Sequence, residues 1–497
     1  MLILEMTQLS NNKLNKSLKS KAIEGLLWSL LDKLINQLGF LVVTLYLARI
    51  IGPKSFGLIG MLTIFILLFE SIVNNGFSQA LVQKSKDLTE EDSSTIFYVN
   101  LFWGVFIYIV FYFLAPFIAD FYRQDILVEI SRVLFLVVIV NSLSVVARAK
   151  LTINIDFKSL TIASSISISI SSVFAIWLAL KGYKYWSLVW FILLKAIFNT
   201  IGLWFFCKWL PKFIFSKKSF TSLFKFGSNL MIAGLISTFV NNLYVALVGR
   251  YFGVTDVGYF TKATYLTNKL SGVISSTLQG VTYPIMTSIK DQKERLVNVY
   301  KQLISITMIV SLPIFVGFMA VAENFVNIFL GKEWIAIVPL LIALSFARVI
   351  TPISSINMNI LNAIGRSDLF LKVDLIKLPM TLIALFIALP FGIKTLAWSM
   401  ACTSAIAFFI NAYYPYKLFD FGPIKQLKIA FNYILASIVM YFSIILLNID
   451  GGILELIIKI ITGMVVYIFF LFLIKDKFFM KIMKDIMLKI DIRKMFY

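Results

Sequence analysis

Continuous apolar runs of about 20 residues, the length a helix needs to cross one bilayer, recur from Leu26 almost to the end of this 497-residue chain. The runs do not alternate in polarity. Only helices and closed barrels satisfy their backbone in lipid, so unalternated runs read as helices. Composition agrees: 60% of residues are hydrophobic and 14% charged, against roughly 45–50% and 25% in soluble domains. The expected fold is an all-α integral membrane protein. Fourteen segments read as spans: 27–50, 56–76, 95–119, 126–147, 159–180, 186–206, 224–250, 258–283, 300–322, 334–358, 369–389, 393–415, 427–447 and 453–474.

The net charge of +21 sits between the runs. In a soluble protein it would suggest nucleic acid; here it reads as topology and contact with anionic headgroups, with no nucleic-acid partner. With the N-terminus placed in the cytoplasm, the inside loops and tail hold 27 Lys and Arg residues and the outside loops 7. Both termini are therefore expected in the cytoplasm. The chain has no histidine and two distant cysteines, Cys207 and Cys402, which argues against a metal site or a disulfide framework. The first apolar run is too long for a signal-peptide core and reads as a retained anchor.

Beyond the last run, Phe479, Ile482, Met483, Ile486, Met487 and Ile490 form an apolar stripe at helical spacing among lysines. The stripe predicts a basic amphipathic helix on the inner leaflet. Several spans carry polar clusters (Asn74-Asn75-Gly76, Asn241-Asn242, Ser275-Ser276-Thr277), the mark of helices facing other helices or a cavity. An internal repeat is visible. Span 1 ends in Arg49-Ile50-Ile51-Gly52 with Gly57 five residues on, and span 7 ends in Arg250-Tyr251-Phe252-Gly253 with Gly258 five residues on, an offset of 201. A looser match relates the segment after Arg148 to that around Arg366. Two parallel six-span lobes follow (1–215 and 216–416), then spans 13–14 and the tail (417–497).

At these residues the chain resembles the polysaccharide transporter family of the multidrug/oligosaccharidyl-lipid/polysaccharide exporter superfamily, in particular the Wzx-like and teichuronic-acid-type flippases. The resemblance rests on Arg49-Ile-Ile-Gly-Pro-Lys-Ser-Phe-Gly57, Asn75-Gly-Phe-Ser-Gln-Ala-Leu-Val-Gln83, Ala115-Pro-Phe-Ile-Ala-Asp-Phe-Tyr122, Tyr283-Pro284, Leu312-Pro313, Leu330-Gly-Lys-Glu-Trp334 and Asn362-Ala-Ile-Gly-Arg-Ser-Asp368. It covers nearly the whole chain to about residue 415. The resemblance implies a V-shaped transporter of fourteen helices working by alternating access. It implies a substrate of oligosaccharide on undecaprenyl pyrophosphate, turned from the cytoplasmic to the outer face of a bacterial inner membrane. Related peptidoglycan-precursor flippases carry arginines in spans 1, 2 and 8; this chain has Glu70 in span 2 and Lys262 and Lys269 in span 8 instead.

Ionisable groups inside spans cost roughly 2.5–3.5 kcal/mol on insertion scales and need a reason. Lys269 lies near the middle of span 8, with Lys262 seven residues earlier on the same face. A pyrophosphate needs such donors where its hydration is lost; the other reading is a lysine paired with a carboxylate between helices. Lys195, Arg348 and Lys33 are further cationic candidates, with inter-helix pairing the favoured reading for Lys195 and Arg348. Arg49 and Arg250 end spans 1 and 7 and read as carbonyl caps or snorkelling groups, with an outer gate the functional option. Glu70 and Asp32 are candidates for coupling to a proton or sodium gradient, or for structural ion pairs.

No cofactor, metal or catalytic residue is expected. The sequence has no Gly-x-x-x-x-Gly-Lys-Ser/Thr loop and no Asp-x-Asp pair, which argues against an ATPase or glycosyltransferase. A cation-coupled drug or metabolite exporter on the same fold is the competing function. Expected partners are the lipid-linked oligosaccharide, membrane lipids, and a polymerase and glycosyltransferases; a monomer is expected.

Overall fold

The computed structural model describes residues 13–74, 77–84, 87–449 and 451–494. Helices occupy the described part of all fourteen expected spans. The chain divides into two compact units, Met1–Gly258 and Tyr259–Tyr497.

The first unit opens with α1 (Lys13–Asn74), which holds two expected spans in one helical run broken at Gly52 (φ 71, ψ 174). Glycine tolerates this positive φ, and Pro53 next to it withholds a backbone donor. Then follow α2 (Phe77–Gln83), α3 (Glu90–Tyr122), α4 (Ile126–Leu134), α5 (Leu136–Ile153), α6 (Phe157–Leu180), α7 (Tyr185–Cys207) and α8 (Lys217–Tyr251). α3 starts in a capping box in which Thr89 and Asp92 each bond the other's backbone N–H, satisfying donors the first turn leaves open. Asp92, buried, also pairs with Lys84 at 2.9 Å. α6 packs on α7 and α1, α5 on α3 and α7, and α8 on α1.

The second unit takes in most of α9 (Val254–Ser288), then α10 (Lys293–Ala320), a short α11 (Ala322–Phe325), a π turn and a 3₁₀ turn, α12 (Val338–Val349), α13 (Thr351–Ala363), α14 (Ser367–Ala388), α15 (Ile393–Phe419), α16 (Pro423–Leu446), α17 (Ile453–Leu473) and α18 (Lys477–Lys494). The expected span 334–358 is thus not one helix. It starts as a 3₁₀ turn and breaks at Ile350, where Pro352 opens α13 at a position that needs no donor. α10 packs on α16, α12 on α15, and α16 on α17.

Among the described residues, eleven helical stretches are long and apolar enough to cross a bilayer, the first of them covering both early spans. α8 and α9, 35 residues each, have the length without the composition. Asn, Ser, Thr and Lys interrupt them, as expected of helices that face protein or a cavity rather than lipid. α5 also runs further than expected, so Arg148 and Lys150 are helical rather than loop residues.

The repeat has a physical basis. Gly57 packs so tightly on α9 that a Cβ there would lie 1.7 Å from the Val254 carbonyl oxygen, and a Cβ on Gly258 would lie 2.1 Å from that of Pro53. Gly57 and Gly258 are related by the 201-residue offset, as are Pro53 and Val254, so the two copies of the motif contact each other reciprocally. The looser match also has a shared geometry. Ile155 (φ 56) and Gly365 (φ 78) are left-handed residues ending α5 and α13. In each turn the next N–H closes on a carbonyl five residues back, Asp156 to Leu151 and Arg366 to Leu361, both at 2.9 Å. This is the Schellman closure.

In the second unit a fully buried triad joins three helices. Tyr300 OH donates to Asn357 Oδ1 (2.5 Å), Asn357 Nδ2 to Gln426 Oε1 (3.1 Å), and Gln426 Nε2 to Tyr300 OH (3.0 Å). Asn357→Leu would leave the buried Gln426 Oε1 without its donor and Tyr300 OH without its acceptor, and we expect a loss of about 1–3 kcal/mol, read as a lower midpoint of thermal unfolding in detergent.

Candidate functional site: charged clusters within the helices

In the first unit, Asp32 and Asn36 stand one turn apart on α1. Asn36 Nδ2 donates to Asp32 Oδ1 at 2.8 Å and to Ser164 Oγ of α6 at 2.9 Å, and the Ser164 hydroxyl donates to Asp32. Glu70, on the second half of α1, accepts a long 3.5 Å contact from Asn141 Nδ2 of α5. Lys195 of α7 and Arg148 of α5 act electrostatically on Glu70, and Arg148 acts on Asp32 as well. Lys195 Nζ stands 5.0 Å over the Phe40 ring, which itself stacks on Phe191. Two carboxylates on α1 and two cations on α5 and α7 therefore act on one another, with amide and hydroxyl groups of α1 and α6 satisfying Asp32. Lys33, beside Asp32, turns its side chain to an exposed position.

In the second unit, Lys262 and Lys269 both approach the Tyr265 ring, with Nζ atoms 5.7 and 5.6 Å from its centroid. Lys262 is buried and Lys269 exposed. The seven-residue spacing puts both on one face of α9, as the sequence requires. Arg348 stands near the end of α12, its carbonyl 3.5 Å from Ser271 Oγ of α9. Nearby helices enclose an apolar cavity of about 570 Å³ lined by Leu312, Phe346, Ile350, Phe408, Ile434 and Tyr441, among others.

The two arginines that end spans 1 and 7 differ. Arg250 reaches the end of α3, where Nη1 donates to the Phe121 carbonyl (2.6 Å) and the guanidinium covers the Phe121 ring. It caps carbonyls of a neighbouring helix, where a cation is favoured. Arg49 is exposed three residues before the Gly52 break.

Of the residues singled out from sequence, Asp32, Glu70 and Lys195 come together in the first unit, and Lys262 and Lys269 in the second. Arg148, Asn36, Ser164 and Asn141 were not singled out. Asn36 could have been found as the i+4 neighbour of Asp32, and Asn141 and Arg148 share a face of α5 two turns apart.

A helical bundle of this length with ionisable groups inside its spans defines a polytopic membrane protein. Residues 46–339 match the family described as polysaccharide biosynthesis protein. That is more than half of the chain, and the chain belongs to this family. It is 25% identical over 346 residues to the teichuronic acid biosynthesis protein TuaB of Bacillus subtilis (strain 168), covering 68% of this chain and 71% of the relative. It is 25% identical over 370 residues to the lipopolysaccharide biosynthesis protein WzxC of Escherichia coli (strain K12), covering 73% and 74%. Its fold is similar to that of the lipid II flippase MurJ in an inward closed conformation, with a TM-score of 0.74 over 90% of this chain and 98% of the other at 17% identity. Family and fold make this chain a multi-pass membrane protein of a polysaccharide biosynthesis family with a flippase-like fold.

Proposed function

We propose that the chain turns undecaprenyl-pyrophosphate-linked oligosaccharide repeat units from the cytoplasmic to the outer face of a bacterial inner membrane, for surface polysaccharide such as O-antigen or exopolysaccharide. The two six-span lobes alternate access, and both termini face the cytoplasm. The observation that carries this reading is the pair Lys262 and Lys269 beside Tyr265. Two cations on one face of a membrane helix suit an anion losing its hydration. A cation exporter would call for a surplus of carboxylates there. The apolar cavity beside α12 and α16 suits a lipid chain, and the relatives' names tie the family to teichuronic acid and lipopolysaccharide biosynthesis. Arg348 and the first-unit cations Lys195 and Lys33 are secondary contacts for the anion. Glu70, with Asp32, couples transport to a proton or sodium gradient. The protein works as a monomer beside the polymerase and glycosyltransferases that use the same lipid carrier.

Deleting the gene in its host should abolish surface polysaccharide and leave the lipid-linked intermediate facing the cytoplasm. Lys269→Ala should reproduce the defect with protein still in the membrane. Normal surface polysaccharide together with new sensitivity to toxic small cations would replace this reading with the exporter one.

A further inference from the structure

The segment after the last span is attached more firmly than a tail needs to be. Only Ile474, Lys475 and Asp476 separate α17 from α18. Lys475 turns the chain through a left-handed residue (φ 51), and the Asp476 N–H closes on the Leu471 carbonyl. Three residues span at most about 10 Å, so α18 starts at the membrane surface. Asp476 is buried and makes three bonds. Its carboxylate accepts the Phe479 N–H (2.9 Å), capping α18, and accepts from Asn432 Nδ2 (2.9 Å) and Tyr433 OH (3.3 Å) of α16. Phe479 is buried against Phe472, ring centroids 5.1 Å apart, and Met483 packs on the same core. The start of the apolar stripe therefore docks on the protein itself.

What α18 turns outward, beside Met480 and the acidic Asp485, is Lys477, Lys481 and Lys484, all exposed. Spaced i, i+4 and i+7, they fall on one face. We propose that this face is a docking surface for anionic phospholipid headgroups, held in register with spans 13 and 14 by the Asp476 clamp. Position and charge carry the assignment. The helix cannot leave the bilayer surface, and near such a surface each lysine gains from anionic lipid. The inference is independent of what the transporter carries.

The test is hydrogen exchange over residues 477–485 of the full-length protein in nanodiscs of phosphatidylcholine, with and without phosphatidylglycerol. At low salt, anionic lipid should slow exchange about tenfold. Raised salt should erase the difference, and so should Lys477→Gln/Lys481→Gln/Lys484→Gln. Asp476→Asn, which keeps the three lysines, should speed exchange in both lipids. Exchange indifferent to lipid composition would overturn the proposal and leave an acidic protein as the partner. Equal protection by inorganic phosphate in phosphatidylcholine discs would overturn it as well.

Discussion

Gly57→Ala and Gly258→Ala should each cost about 3 kcal/mol, the upper end of the overpacking range, and lower the thermal midpoint of the purified protein by several degrees. A methyl on Gly57 would stand 1.7 Å from the Val254 carbonyl oxygen and 2.7 Å from its carbon, and one on Gly258 2.1 Å from the Pro53 oxygen. The obstacle in each case is backbone, not the end of a flexible side chain. The second half of α1 and the start of α9 must therefore move apart before either methyl fits. Close crossings of small residues are how membrane helices gain contact where lipid offers no hydrophobic drive. The two substitutions should not add. Once one methyl has separated the helices, the second meets more room, so the double variant should cost clearly less than the sum. Gly272→Ala is the internal control. Nothing lies within 4 Å of its Cβ position, and alanine in a helix interior gains up to about 1 kcal/mol over glycine. If Gly57→Ala behaves like Gly272→Ala, the reciprocal contact does not hold the two motifs together.

That contact shows what a sequence can and cannot disclose. The 201-residue offset was legible because both copies keep Arg and Gly at matching places. That the copies touch each other was not, since periodicity orients a face without naming its neighbour. The helices were legible wherever apolar runs were continuous. The break inside 334–358 needed Pro352 to be read as a helix start rather than as a tolerated kink. Arg148 was assigned to a loop because its run of apolar residues ends there, yet α5 continues to Ile153. Asp32 and Glu70 stood out as charges in spans. Their partners did not, because Ser164 lies 132 residues from Asp32 and Asn141 lies 71 from Glu70. Arg250 was read as a cap, but not as a cap of α3, which precedes it by more than a hundred residues.

Glu70→Gln should abolish the response of transport to an imposed ion gradient, and a second substitution separates the reasons it could do so. Glu70 faces two cations, Lys195 and Arg148, with Asp32 as the other carboxylate in reach. Neutralising Glu70 leaves two positive charges against one negative, among groups that are half-buried or, for Arg148, exposed. Losing one charge of such a half-exposed group costs up to about 1 kcal/mol, so the single variant should be somewhat less stable whatever else Glu70 does. Glu70→Gln/Lys195→Met removes one charge of each sign and should recover most of that stability. If Glu70 only partnered Lys195, the double variant would regain gradient-driven transport along with its stability. If Glu70 is the coupling acid, stability returns while the response to the gradient stays absent, because the amide that replaces its carboxylate can neither take up a proton nor supply a negative charge to a sodium ion. We expect the second outcome. The measurement is movement of a lipid-linked oligosaccharide in proteoliposomes under a proton gradient and, separately, a sodium gradient, beside thermal unfolding of the same preparations. A Glu70→Gln protein that still answers either gradient as the native chain does would move the coupling role to Asp32. There the Asn36 and Ser164 bonds already surround a carboxylate with groups that could share in binding a cation.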